Sequence, residues 1–225
     1  MKMYENWATK QCIELDKFCD NLDSEIWRET LDFQNRFTDY GNKIVASAGV
    51  KLGGGGCFPF LYFICRLRKP LTVVETGVAA GWTSLAILRA LKKNGTGFLY
   101  SSDFPYFRLK NPEKYIGCLA KNESNVSNWF LDIRGDEVAL PEIARRLENK
   151  SIDLFHYDSD KSYSGRSNAL KILGSKINSN TIIIFDDIQN NLHFKDFVEK
   201  NKKDFRVYEF EGKYIGITGL ENLKL

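Results

Sequence analysis

One stretch, Leu71–Leu88 (LTVVETGVAAGWTSLAIL), constrains the fold of this chain more than any other. It reads as strand, sharp glycine turn and helix. Leu71-Thr72-Val73-Val74 is a short β-branched run of the kind that lies in a parallel sheet covered on both faces. Glu75 ends the run. Gly77 and Gly81 bracket a turn of small residues, and Leu85, Leu88 and Leu91 then fall on one helical stripe. Gly77 supplies a backbone freedom that no side chain allows, and Gly81 lets whatever lies on the turn come close. Free N–H groups at the helix start face the carboxyl end of the strand, where open α/β sheets bind small molecules.

The spacing excludes two phosphate-binding readings. From Gly77, the dinucleotide pattern G-x-G-x-x-G needs glycines at 79 and 82, where the chain has Ala79 and Trp82. No Gly-Lys-Ser/Thr follows, so this is not a P-loop. An NAD-dependent oxidoreductase is disfavoured on the same grounds.

Strands and helices alternate through the rest of the chain. Phe98–Ser102 reads as a second strand ending at Asp103, Trp129–Ile133 as a third, Ile152–Tyr157 as a fourth ending at Asp158, and Thr181–Phe185 as an apolar, central fifth ending at Asp186-Asp187. Helices are expected at Phe58–Arg68, around Glu113–Lys121, at Pro141–Glu148 and at Phe194–Glu199. Phe205–Phe210 and Lys213–Thr218, joined by Glu211-Gly212, read as a β-hairpin. Residues 1–50 read as an amphipathic helical cap, and 51–225 as one domain. Gly53–Gly56 reads as a linker or hinge, with a lid over a ligand as the functional alternative.

Three strands thus end in acids on one sheet edge: Glu75, Asp158 and Asp186-Asp187. Gathered carboxylates repel one another unless something positive sits between them. Lys161 and a hard divalent cation such as magnesium are the candidates. The alternative is that these aspartates cap the helices that follow. Asp103, at the end of the second strand, stands where a carboxylate grips a ribose diol in such sheets, or is a turn aspartate before Phe104-Pro105. Asp136 lies on the same rim. His156 reads as a packed strand histidine or a neighbour of the acids, and His193 as a residue that lines the site.

A net charge of +3 gives no footprint for nucleic acid or for a membrane surface. Five cysteines without a C-x-x-C point to buried reduced thiols rather than disulfides or zinc. No apolar signal core opens the sequence, and the expectation is a cytoplasmic protein.

KPLTVVETGVAAGWTSLAILRALKKNGTGFLYSSDFP resembles the opening half of a bacterial class I S-adenosylmethionine (SAM) dependent methyltransferase family, related to macrocin O-methyltransferase-like and cephalosporin-hydroxylase-like proteins. IDLFHYDSDKSYSG and TIIIFDDIQNN-x-x-F-x-x-F resemble its second half. The resemblance spans roughly residues 50–220, with several motifs in order. It implies a Rossmann-like α/β fold: a mostly parallel seven-stranded sheet with a C-terminal antiparallel hairpin and helices on both faces. It implies SAM contacts at Glu75, Gly77, Gly81, Thr83, Asp103 and Asp136, and a magnesium-type site at Asp158, Asp186 and Asp187. The segment after the fourth strand is also similar to catechol O-methyltransferase, where a lysine three residues beyond the metal-binding aspartate is the base. Lys161 stands three beyond Asp158, which makes Lys161 and Asp158 the catalytic candidates. The nearer family reads D-x-x-His-x-Tyr, with the histidine where this chain has Lys161. That lysine serves the same proton transfer, marks a changed substrate, or marks lost activity.

The reading is metal-assisted O-methylation of a hydroxyl on a small molecule or sugar. The alternative is an inactive SAM- or nucleotide-binding scaffold or sensor. A small-molecule or saccharide acceptor is the expected partner, and exposed N-terminal aromatics are compatible with a homodimer.

Overall fold

Short apolar runs form the inner strands of the chain, and stretches with a three- to four-residue apolar period form its helices. The computed structural model describes residues 3–121 and 127–220. The strands are β1 (Thr72–Thr76), β2 (Phe98–Ser102), β3 (Trp129–Asp132), β4 (Leu154–Tyr157), β5 (Ile182–Phe185), β6 (Phe205–Phe210) and β7 (Lys213–Thr218). They form one seven-stranded sheet in the order β3-β2-β1-β4-β5-β7-β6. β1 to β5 pair in parallel, while β7 runs antiparallel to both β5 and β6. The hairpin turn at Glu211-Gly212 has both residues at positive φ (51° and 77°), as a right-twisted two-residue turn requires.

The helices are α1 (Met3–Gln11), α2 (Leu15–Leu22), α3 (Ser24–Ser47), α4 (Phe58–Arg68), α5 (Trp82–Asn94), α6 (Cys118–Lys121), α7 (Asp136–Arg146), α8 (Tyr163–Leu173) and α9 (His193–Lys200). They cover both faces of the sheet. Val73, Leu99, Leu154 and Ile184 face a core shared with α2 to α6. Their strand neighbours Val74, Tyr100, Phe155 and Ile183 face a second core shared with α1 and α7 to α9. Burial on both faces is why β4 and β5 are buried along their whole length. Each fully buried Ile or Phe contributes roughly 1.5–3 kcal/mol relative to exposure.

The described residues before Ala48 are mostly helical, in α1, α2 and α3, and α1 and α3 enter different layers. Trp7 of α1 stacks on Phe205 of β6, at 5.6 Å between ring centroids. α2 stops where Asp23 caps α3, its carboxylate accepting from the N–H groups of Glu25 and Ile26 at 3.1 and 2.9 Å. On α3, Glu29 accepts from Arg66 Nε and Tyr62 Oη of α4, both at 2.7 Å, and pairs with Lys93 of α5 at 2.8 Å. Burial opposes ionisation of Glu29, but the Arg66, Lys93 and Tyr62 hydrogen bonds outweigh it and hold the carboxyl at about 2.

Several boundaries shift by one or two residues, and three differences have a physical reason or bear on the site. β1 runs on through Glu75 to Thr76. α7 begins at Asp136, with Pro141 inside the helix rather than at its start. The acids Asp136 and Glu137 in its first turn favour starting there, because they complement the helix dipole. The single helix expected around Glu113–Lys121 is a short 3-10 turn, Pro112–Lys114, followed by α6. Gly117, at φ 66°, breaks it, since a Cβ there would lie 2.6 Å from the Trp129 ring. Among the described residues, no helix is long and apolar enough to cross a membrane.

Candidate active site

The strand order reverses between β1 and β4, so the loops leaving these two strands diverge and open a crevice at the carboxyl edge. Gly77 follows β1 and Asp158 follows β4. A Cβ on Gly77 would stand 2.4 Å from the Asp158 carbonyl oxygen, so only glycine lets the loops touch here. Ala79 takes the left-handed conformation with φ 49°, and its N–H donates to Asp103 Oδ2 at 2.6 Å. Gly81 makes room for protein rather than for a ligand, since its Cβ position lies 2.9 Å from the Gly117 backbone.

A cavity of about 710 Å3 opens at this edge. Six of the residues singled out from sequence line it: Gly77, Asp103, Asp136, Asp158, Lys161 and Asp187. The other four, Glu75, Gly81, Thr83 and Asp186, stand behind its wall. Glu75 is fully buried and accepts from Thr83 Oγ1 and Ser84 Oγ, each at 2.6 Å, and from Ser101 Oγ at 2.9 Å. It ties the start of α5 to β1 and β2, and so fixes the shape of the glycine turn. His156 packs beside it, Nδ1 to Oε1 at 3.9 Å. His193 is buried among Tyr163, Phe185 and Phe197 and is not among the lining residues.

Asp103 and Asp136 both line the cavity. Burial pushes the Asp103 carboxyl up to about 6, against the N–H groups of Phe104 and Ala79 and with help from Glu75 and Asp136. Asp136 accepts from the hydroxyls of Ser102 and Ser159, which bridge β2 and the loop after β4.

Asp158, Asp186 and Asp187 come together at the same sheet edge, each offering a carboxylate oxygen within 4.8 Å of the others. Lys161 Nζ donates to Asp158 Oδ1 and lies 3.2 Å from Asp187 Oδ2. Lys213 Nζ lies 3.4 Å from the same oxygen. Burial lowers the Lys161 ammonium below its ordinary value, although Asp186 and Asp187 oppose the shift. Asp187 is held below the usual carboxylate range, burial being overcome by the two lysines.

Two observations fit this group of oxygens to a hard cation. Asp186 Oδ1 accepts the N–H of Asp187, but Oδ2 is buried and has no hydrogen-bond partner. Gly56, at φ 53°, closes over the group, and a Cβ there would lie 3.3 Å from Asp186 Oδ2 and 3.8 Å from Asp158 Oδ2. All the donors are oxygens, the set that magnesium-like ions prefer.

The glycine run is therefore part of the site wall, not a plain linker. Gly53 and Gly54 line the cavity, and the Gly53 N–H meets Tyr106 Oη at 3.4 Å. Four glycines in a row were visible in sequence, but nothing there said which loop they would face. Tyr106, Arg134 and Lys213, which also line the cavity, carried no sequence signal.

Residues 74–188 match a family described as a methyltransferase domain. No curated protein matches the chain by sequence. Among solved structures, the chain is similar to a methyltransferase from Geobacter sulfurreducens, with 12% identity, a TM-score of 0.58 and coverage of 81% of this chain and 89% of that one. It is also similar to an O-methyltransferase from Bacillus cereus in complex with S-adenosylhomocysteine (SAH), with 12% identity, a TM-score of 0.59 and coverage of 94% and 99%. At these identities the likeness is one of fold.

Proposed function

This chain belongs to the family of SAM-dependent methyltransferases whose domain its residues 74–188 match, and we propose that its acceptor atom is a hydroxyl oxygen and that a divalent cation assists the transfer. The observation that carries the reading is the group of Asp158, Asp186 and Asp187, two of which line the same cavity as Asp103 and Asp136. The Bacillus cereus O-methyltransferase points the same way by analogy of fold.

SAM supplies an electrophilic methyl group. The turn from Gly77 to Gly81 seats the cofactor between β1 and β4, Asp103 accepts from the ribose hydroxyls, and Asp136 borders the adenine. Glu75 and Thr83 act from behind the wall by holding the turn. A cation held by Asp158, Asp186 and Asp187 makes an acceptor hydroxyl more acidic and steadies the negative charge that forms. Lys161 takes the hydroxyl proton. Its Nζ already reaches the triad from the loop of Asp158, so it can turn to an acceptor bound there. Gly53 and Gly54 close the acceptor side, and their lack of side chains leaves space for a small molecule or a sugar. In-line attack then needs only that the two ligands be held at fixed separation.

The test is transfer of a labelled methyl group from SAM to hydroxyl-bearing acceptors, with magnesium and then with a chelator. Activity lost in chelator and restored by magnesium supports the reading. Full activity in chelator removes the cation and leaves Lys161 and Lys213 as the charges that compensate the carboxylates.

A further inference from the structure

Arg166 is fully buried in α8, yet among the described residues no carboxylate pairs with it in an ion pair. Its Nη2 donates to two successive carbonyl oxygens, those of Asp186 at 2.8 Å and Asp187 at 2.9 Å. Nε and Nη1 have no partner. Burying a guanidinium in this way is expensive, and a methionine or leucine would fill similar space without that cost. The cost coincides with a second one. Asp187 is a non-glycine residue at φ 54°, the left-handed region, which L-residues enter only against steric resistance.

The two costs share one result. With both carbonyls bonded to Arg166, the turn holds the Asp186 and Asp187 carboxylates beside that of Asp158, and Asp186 Oδ2 is left without a hydrogen-bond partner. The other half of the group is anchored to the same helix. Ser162 caps α8 by accepting the Gly165 N–H at 2.9 Å, and its own N–H donates to Asp160 at 2.8 Å. A Cβ on Gly165 would lie 2.3 Å from Asp160 Oδ2, so the loop of Asp158 is pressed onto the first turn of α8. Arg166 follows directly. One helix turn therefore carries the loop after β4 and grips the loop after β5.

We infer that Arg166 is a positioning residue: it locks the strained Asp186–Asp187 turn to the first turn of α8, so that the carboxylates after β4 and β5 converge on one cation. This rests on the reading of Asp158, Asp186 and Asp187 as a cation site. Arg166 is buried and does not line the cavity, so it acts on cation binding without acting on SAM.

The test uses Arg166→Met and Arg166→Lys in the full chain. Mn2+ affinity is read from the paramagnetic resonance signal of the free ion, and SAH affinity by calorimetry. The expected result for Arg166→Met is a loss of Mn2+ affinity of about tenfold or more, as for other residues that orient metal ligands, with SAH affinity within about twofold of wild type. Arg166→Lys, which keeps the charge but loses the planar fork and sits on a shorter, more flexible stem, falls between. Wild-type Mn2+ affinity in Arg166→Met overturns the proposal, as does an equal loss for Mn2+ and SAH. If Arg166→Met does not fold, Arg166→Lys decides by the same comparison. If the wild-type protein binds no Mn2+, the cation reading fails by itself. Amide exchange at residues 187–190 then reads the lock directly: faster exchange in Arg166→Lys sustains it, and unchanged exchange overturns it.

Discussion

At the scale of single residues, two acids at the same sheet edge have opposite jobs. Glu75 has no exposure and holds three hydroxyls. Glu75→Ala leaves those hydroxyls without their acceptor and opens a hole, which costs about 3 kcal/mol of stability, measurable by urea unfolding. Asp103 faces the cavity, so Asp103→Ala is expected to keep most of the stability and lose SAH affinity. Asp103 also gives a pH signature. Its carboxyl titrates at about 6, and gripping a diol needs the ionised form. SAH affinity should therefore fall as pH drops below about 6, and Asp103→Asn should bind weakly with no such dependence. An affinity flat from pH 7.5 to 5 in the wild type would remove Asp103 from ribose binding. Both acids were legible as site candidates because each follows an apolar run that reads as a strand. That Glu75 points into the protein was not, since strand parity gives a face but not which face the cavity opens on.

At the scale of elements, Gly53–Gly56 and α3 each carry a prediction. Gly56→Ala puts a methyl group against Thr83 and two carboxylates, at a positive φ that costs about 1 kcal/mol. The expected outcome is weakened Mn2+ binding with SAH binding retained. Equal retention of both would mean that the glycine wall does not shape the cation site. For α3, the Glu29 network fastens the helix to α4 and α5. The Glu29 carboxyl sits at about 2 in the folded chain, below its unfolded value. Its contribution is thus full above about pH 4.3 and is lost as pH falls towards 2, worth about 2 kcal/mol after solvent screening. Glu29→Gln should lower stability at pH 7 and flatten this acid limb in thermal scans. The strands, the hairpin and α4, α5 and α9 were legible because their periodicity is clean. The segment from 104 to 128 was not. Gly117 breaks its helix for a tertiary reason, the Trp129 ring, that no local pattern contains. The wall role of the glycine run was hidden for the same reason.

At the scale of the whole molecule, the sheet order is what makes a site out of scattered residues. Chain positions as distant as Gly56, Gly77, Asp103, Asp136, Asp158 and Asp187 meet at the reversal between β1 and β4. Strand–helix alternation in the sequence was enough to anticipate that edge, because parallel strands joined by right-handed crossovers all end on one side. It was not enough to find Arg166, a charge that no sequence pattern singled out and that is fully buried. The central claim is that this edge binds SAM. The most direct measurement is calorimetric titration of SAH into the wild-type protein and into Asp103→Ala, both with magnesium present. The account predicts micromolar binding to the wild type, weakened about tenfold or more by the substitution. No heat of binding to a folded wild-type protein, or equal affinity in Asp103→Ala, would contradict it.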